Sequence, residues 1–235
     1  MKAVILAGGK GLRLRPYTSV LPKPLMPIGE LPIIEIILRR LEKAGVTDVV
    51  IAIGYLGSLI QTYLAQSAIS QRMNISYHLE EKPLGTAGAI GGIEGLDEPF
   101  FVMNGDLLST IDFRAMMQHH LESEACLTVG VVSTEVQIQL GVLSLDESDN
   151  ITGYDEKPKM TYAASMGIYV YSPKAKSLVQ PGIHLDAPSL VLKLIEKGET
   201  VSGFTAPCRW IDIGNPLEYE RAQQEFADDP ALFLE

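Results

Sequence analysis

Lys2-Ala3-Val4-Ile5-Leu6-Ala7-Gly8-Gly9-Lys10-Gly11-Leu12-Arg13 follows the initial methionine and decides how the rest of the chain is read. A short apolar run stopped by paired glycines reads as a buried strand over residues 2–7 that feeds a tight turn. Glycines directly after a strand let backbone N–H groups approach phosphate oxygens closely. The turn does not open a long helix, because Pro16, Pro22, Pro24 and Pro27 follow it. Two glycine motifs are thereby excluded. A dinucleotide fingerprint anchored on Gly9 and Gly11 needs glycine where Leu14 stands, and a P-loop needs Gly-Lys-Ser/Thr after a glycine four residues earlier. The turn suits phosphate but belongs to neither class. Its candidate groups are the backbone of Leu6, Ala7, Gly8, Gly9 and Gly11, with Arg13 as a planar fork for distal phosphates and Lys23 as a point charge. A surface turn rich in glycine is the competing reading.

Outward from this strand the pattern repeats. A helix is expected from about Pro32 to Ala44, stopped by Gly45, followed by a strand at 49–53, a helix at 55–66 and a strand at 75–79. A small-residue helix at 85–94, a strand at 99–103, a helix at 112–123 and a strand at 125–132 continue the alternation. Buried strands alternating with helices predict an α/β fold, a Rossmann-like three-layer sandwich with a mostly parallel, mixed central sheet. The second half is richer in strands, at 141–145, 151–155, 165–171 and 201–206. Its helices are expected at 174–179, at 187–197 with Asp186 as cap, and at 216–227 with Asn215 as cap. No linker divides the halves. Residues 1–235 read as a single domain with a nucleotide-binding lobe over about 1–110 and a C-terminal lobe over about 111–235.

Charge narrows the function classes. The net charge is −10, a field that repels nucleic acid. Yet residues 1–29 hold Lys2, Lys10, Arg13, Arg15 and Lys23 and no acid, which suggests a local anion site. No segment approaches the roughly 20 apolar residues of a membrane helix. The opening residues are too short for a signal-peptide core. Cys126 and Cys208 form no paired motif and read as free thiols of a reducing compartment. A cytoplasmic location is the expectation.

Two aspartates stand at chemically useful places. Asp106 follows a strand and Gly105, so its carboxylate should project from a strand's C-terminal end, where open α/β sheets bind ligands. Asp212 lies in the apolar stretch Trp210-Ile211-Asp212-Ile213. Mg²⁺ takes one or two carboxylates plus phosphate oxygens and water, so a convergent pair would suit it. Turn chemistry or helix capping accounts for either residue taken alone.

Gly8-Gly9-x-Gly11-x-Arg13-Leu14-x-Pro16-x-Thr18 with Pro22-Lys23-Pro24-Leu25-x-Pro27 resembles the signature of the sugar-1-phosphate nucleotidyltransferases. This family includes glucose-1-phosphate thymidylyltransferases and mannose-1-phosphate guanylyltransferases. The likeness recurs in order at Leu84-Gly85-Thr86-Ala87-Gly88, Asn104-Gly105-Asp106, Glu156-Lys157-Pro158, Gly167-Ile168-Tyr169 and Trp210-x-Asp212-x-Gly214. Leu12 departs from the usual threonine, and Met166 from a frequent asparagine. The resemblance implies a nucleotide-diphospho-sugar transferase type of fold. It also implies Mg²⁺ on Asp106 and Asp212, with Arg13, Lys23, Asp106 and Lys157 catalytic. Gly85 and Thr86 would join the nucleotide site. Gly141, Glu156, Lys157 and Asp212 would hold the sugar phosphate. The implied reaction joins a nucleoside triphosphate to a sugar 1-phosphate and releases pyrophosphate. Some relatives carry a trimer-building repeat tail, and no such tail is read here; homo-oligomerisation is otherwise left open.

Glu80 falls where thymidylyltransferases carry a glutamine that pairs with thymine. A carboxylate only accepts hydrogen bonds, and guanine offers two adjacent donors where thymine and uracil offer one. GTP is therefore favoured, with mannose or heptose 1-phosphate as acceptor. Thymidylyl or uridylyl transfer to glucose 1-phosphate is the alternative, as is a solvated Glu80-Glu81 pair with no role. A catalytically silent nucleotide-sugar-binding relative is a third reading, disfavoured by the presence of Arg13, Lys23, Asp106 and Asp212.

Overall fold

The structure, a computed structural model, describes residues 1–234. β1 (Lys2–Ala7) forms as expected, with Ala3, Val4 and Ile5 inaccessible to solvent. The proline-rich loop makes three single 3-10 turns, at Leu12–Leu14, Tyr17–Ser19 and Lys23–Leu25. A short ribbon, β2 (Pro27–Ile28) and β3 (Leu31–Pro32), leads into α1 (Ile33–Ala44), which Gly45 ends in the left-handed conformation. Next come β4 (Asp48–Ile53), α2 (Gly57–Gln66), β5 (Asn74–Leu79) and α3 (Gly85–Gly88). β6 (Phe100–Asn104), β7 (Leu107–Ser109), α4 (Phe113–Glu122) and β8 (Leu127–Gln137) follow. The second half continues with β9 (Gly141–Leu145), β10 (Ile151–Glu156), β11 (Lys159–Tyr171), α5 (Pro173–Ser177) and α6 (Ala187–Glu196). β12 (Val201–Thr205), β13 (Trp210–Asp212), α7 (Pro216–Asp228) and α8 (Pro230–Leu234) complete it.

Seven strands form the central sheet in the order β12-β8-β11-β6-β1-β4-β5. Only β11 runs antiparallel to its neighbours; the other pairings are parallel. Strand alternation supplies two cores. Ala3, Ile5, Phe101, Met103, Ile168 and Val170 face one, with α1 and α4; Val4, Phe100, Val102, Tyr169 and Tyr171 face the other, with α5 and α6. This is the three-layer, Rossmann-like sandwich, and strands covered on both faces explain the continuous apolar runs. Order along the sheet reverses at β1, which has β4 on one side and β6 on the other. Such switch points leave a crevice beyond the strands' C-terminal ends.

Several elements differ from expectation. The helix expected over 85–94 is only Gly85–Gly88: beyond it Ile90 and Gly91 donate three residues back, to Ala87 and Gly88, in successive turns, while the first-turn N–H groups of Ala87 and Gly88 donate to the Leu185 carbonyl, at 2.9 and 2.7 Å. β8 and β11 run past the sheet and pair as an arm, from Val131 opposite Ser165 to Gln137 opposite Lys159, with β9 and β10 forming their own hairpin. The small pair β7–β13 places Asp212 opposite Leu107. Cys126 is buried and Cys208 half-buried, and both are free thiols. Among the described residues no helix is long and apolar enough to cross a membrane.

Candidate active site

The C-terminal ends of β1, β4, β5 and β6 open into one cavity of about 1000 Å³. Leu6, Ala7, Gly8, Gly9, Gly11, Arg13 and Lys23 line it, as do Glu80, Gly85, Thr86 and Asp106. The glycine turn has a definite shape. Gly11 is left-handed at φ 58°, and the Thr18 hydroxyl donates to its carbonyl at 2.7 Å. Leu14 is fully buried and pins the loop to the core. Backbone meets backbone on the cavity floor: a Cβ on Gly54 would lie 3.0 Å from the Gly8 carbonyl oxygen, and one on Gly105 the same distance from that of Leu6.

Asp106 and Asp212 converge. β13 pairs with β7 immediately after Asp106, and the Ile213 N–H donates to the Asp106 carbonyl at 3.2 Å. Lys23 sits between the carboxylates, in direct ion pair with Asp106 Oδ2 and 3.8 Å from Asp212 Oδ1. Asp106 Oδ1 is buried without a hydrogen-bond partner. Burial, and secondarily the Asp106 charge, push the Asp212 carboxyl above its ordinary range against the opposing pull of Lys23 and Arg13. Arg13 reaches this group across Gly214, where a Cβ would lie 3.1 Å from Nη2.

These carboxylates fit a hard divalent ion. An orphaned buried oxygen on Asp106 and the neighbouring carboxyl of Asp212 are a donor set short of full coordination. Among the described residues no cluster of three or more His, Cys, Asp or Glu side chains could hold a metal unaided. Mg²⁺ that shares its coordination with phosphate and water matches such a set.

Glu80 closes the nucleotide cavity on the other side. Its N–H donates to the Ile53 carbonyl at 2.9 Å, and its Oε1 would lie 2.7 Å from a Cβ on Gly8. Burial pushes its carboxyl up, opposed by a hydrogen bond from the Leu84 backbone. Glu80 is therefore a cavity residue rather than one of a solvated pair.

A second cavity of about 450 Å³ adjoins the first, and Thr86, Asn104 and Asp186 line both. The register of β11 against β8 shifts between Ser165 and Tyr169, and this irregularity supplies Ser165, Met166 and Gly167 to its wall. Asp212 lines it as well. Gly141, Glu156 and Lys157 lie elsewhere. Glu156 pairs with Gly141 across β9–β10, and Lys157 Nζ is 3.9 Å from Glu156 Oε1. The three are brought together on the arm, but they line neither cavity. Sequence reasoning missed Lys10 and Lys82 in the first cavity and read Asp186 only as a helix cap. Lys10 carried a signal, being one of the cations of the acid-free opening segment.

Comparison with known proteins identifies the family. The nucleotidyl transferase family profile matches residues 2–229. A probable mannose-1-phosphate guanylyltransferase 1 of Oryza sativa subsp. japonica is 34% identical over 93% of this chain and 63% of its own length. A UTP–glucose-1-phosphate uridylyltransferase of Synechocystis sp. is 32% identical over 94% of this chain and 62% of its own. The chain thus spans somewhat under two thirds of the curated relatives it matches. The crystal structure of HddC from Yersinia pseudotuberculosis complexed with GMP-PN superposes with a TM-score of 0.72, at 25% identity, covering 96% of this chain and 99% of that one. With a strand-end glycine turn, paired carboxylates and a family profile that spans nearly its whole length, the chain belongs to the nucleotidyl transferase family, among the sugar-1-phosphate nucleotidyltransferases.

Proposed function

We propose that the chain transfers a nucleotidyl group from a nucleoside triphosphate, GTP by preference, to a sugar 1-phosphate such as mannose or heptose 1-phosphate, in the cytoplasm. The observation that carries the reading is Lys23 held between Asp106 and Asp212 at the mouth of the glycine turn. That arrangement suits a reaction between two anions. A phosphate oxygen of the sugar 1-phosphate attacks the α-phosphorus, and pyrophosphate departs from the opposite side. The nucleophile is already ionised near neutral pH, so no general base is needed. Positioning and charge neutralisation dominate. The turn amides from Gly8 to Gly11 hold phosphate oxygens, Lys23 holds the reacting phosphates, and Arg13 takes charge on the leaving pyrophosphate. Asp106 and Asp212 would hold Mg²⁺, which supplies Lewis-acid neutralisation of phosphate charge.

Residues 1–110 serve the nucleotide in this reading, and the C-terminal half serves the sugar. Glu156 and Lys157 reach the sugar phosphate only if the arm that carries them bends toward the cavities. GTP is favoured by the acceptor-only chemistry of Glu80, by the guanylyltransferase relatives and by the guanine-nucleotide analogue bound to HddC.

A pyrophosphate-release screen of the common triphosphates against a panel of sugar 1-phosphates tests the proposal. GTP with one hexose or heptose phosphate is expected to give the highest kcat/KM. Asp106→Ala and Asp212→Ala are each expected to lower kcat by at least about a thousandfold with circular dichroism unchanged; near-normal turnover in both refutes the metal assignment.

A further inference from the structure

Asp186 lies where the two cavities meet and is the less committed of the two carboxylates in the smaller one. It is exposed and occupies the N-cap position of α6, yet its side chain makes no capping hydrogen bond. Its one hydrogen bond among the described residues is a long one, from the Thr86 N–H to Oδ1 at 3.4 Å. Of the other polar side chains of this cavity, the Asn104 amide is likewise without a hydrogen bond among the described residues, and the rest are engaged. The Thr86 hydroxyl accepts from the Ala187 N–H at 2.8 Å, and the Trp210 indole N–H donates to the Met166 carbonyl at 2.9 Å. Ser165 Oγ shares a hydrogen bond of 3.1 Å with the Tyr169 hydroxyl and accepts from the Gly167 N–H at 3.3 Å. Of the cavity's two carboxylates, Asp212 turns toward Lys23. Asp186 is left with free lone pairs.

The cavity's position dictates what it can hold. The reacting phosphate has to lie by Asp212 and Lys23, so the rest of the acceptor extends into the adjoining space. A carboxylate beside an anionic substrate is repulsive near its phosphate and favourable only where hydroxyl groups are presented. It accepts and never donates, so it selects for O–H groups.

Resting on the sugar 1-phosphate reading above, we propose that Asp186 accepts hydrogen bonds from sugar hydroxyls and sets which sugar 1-phosphate the chain takes. The mooring of the 183–187 segment on α3, through the Leu185 carbonyl and the Thr86–Ala187 bond, holds Asp186 at this junction. A site that hydrogen-bonds a substrate hydroxyl discriminates strongly against the analogue that lacks it.

The test uses the full chain, the triphosphate and sugar 1-phosphate preferred in the screen, and that sugar phosphate with single hydroxyls replaced by hydrogen. In Asp186→Ala, KM for the sugar 1-phosphate should rise about tenfold or more, and by a clearly larger factor than KM for the triphosphate. At least one deoxy analogue, penalised by the unsubstituted chain, should lose that penalty in the variant. Asp186→Asn keeps the shape and one acceptor for Thr86, and should show a smaller loss of the same discrimination if the alanine variant does not fold. Unchanged parent-to-deoxy ratios in a variant that turns over would overturn the role of Asp186 alone. Absence of pyrophosphate release by the unsubstituted chain with every pair would overturn the transferase reading, and this proposal with it.

Discussion

Under the proposed preference for GTP, Glu80 would tie acidity to substrate choice. Its carboxyl is pushed up by burial, and pairing with two guanine donors requires the ionised form. Lowering the pH protonates it and removes one acceptor. KM for GTP should therefore rise on the acid side in the unsubstituted chain. Glu80→Gln, which has no such titration, should show a weaker KM at neutral pH and a flatter acid limb once titration of the shared sugar phosphate is subtracted. Parallel pH profiles for the two would remove the base argument. Lys23 makes a separate statement. Its ammonium stands against both carboxylates, so in the proposed metal site a divalent ion would compete with it until phosphates draw the lysine away. Without nucleotide, Lys23→Met should bind Mn²⁺ more tightly by on the order of tenfold or more, measurable by titration calorimetry although turnover is lost. Equal affinities would show that the lysine does not guard these acids.

Elements are fastened by a few polar ties in an otherwise apolar interior, and α1 and α2 give the best example. Glu35 of α1 is only 6% exposed. It accepts from Arg39 at 2.6 Å, from the Ser67 hydroxyl at 3.0 Å and from the Tyr63 hydroxyl. Burial raises its pKa, but these hydrogen bonds and the Arg39 charge outweigh that and hold it below the usual 4.5. A depressed folded-state pKa means stability that is present above the unfolded value and is lost as pH falls through the folded one. Glu35→Gln should lower stability by about 1.5–3 kcal/mol near neutral pH, with the difference shrinking below pH 4.5. Urea melts at several pH values check this. Elements also differ in how legible they are. β1 could be read from Lys2–Ala7 because a strand buried on both faces leaves a continuous apolar run. The length of α3 could not: only Gly85–Gly88 of the expected 85–94 is helical, and the segment around Leu185 that it packs against is remote in sequence. The β7–β13 pairing that joins Asp106 to Asp212 is likewise non-local, and only the family motif pointed to it. Asp186 before Ala187-Pro188 looks like an ordinary cap, and nothing in the sequence tells that its carboxylate is left unused.

At the scale of the molecule, a net charge of −10 surrounds a cavity lined by Lys10, Arg13, Lys23 and Lys82 and also by Glu80, Glu81, Asp106 and Asp186. Ligands that bind only the folded chain stabilise it by mass action. A nucleotide at a hundred times its Kd adds about 2.7 kcal/mol, which for this length raises Tm by about 5–10 °C. GTP with Mg²⁺ should give the largest shift among the triphosphates in differential scanning fluorimetry, and EDTA should reduce it; equal shifts for all four bases would argue against guanine selection. The floor of that cavity has a further consequence. Where Gly54 abuts Gly8 and Gly105 abuts Leu6, main chain fills the space a side chain would need. Substitution there cannot easily reshape that surface, which leaves its borders to tune specificity: under the proposed reading, residue 80 for the donor's base and the wall around residue 186 for the acceptor. A laboratory library confined to those borders should shift substrate choice, whereas one that randomises the floor should mostly yield inactive protein.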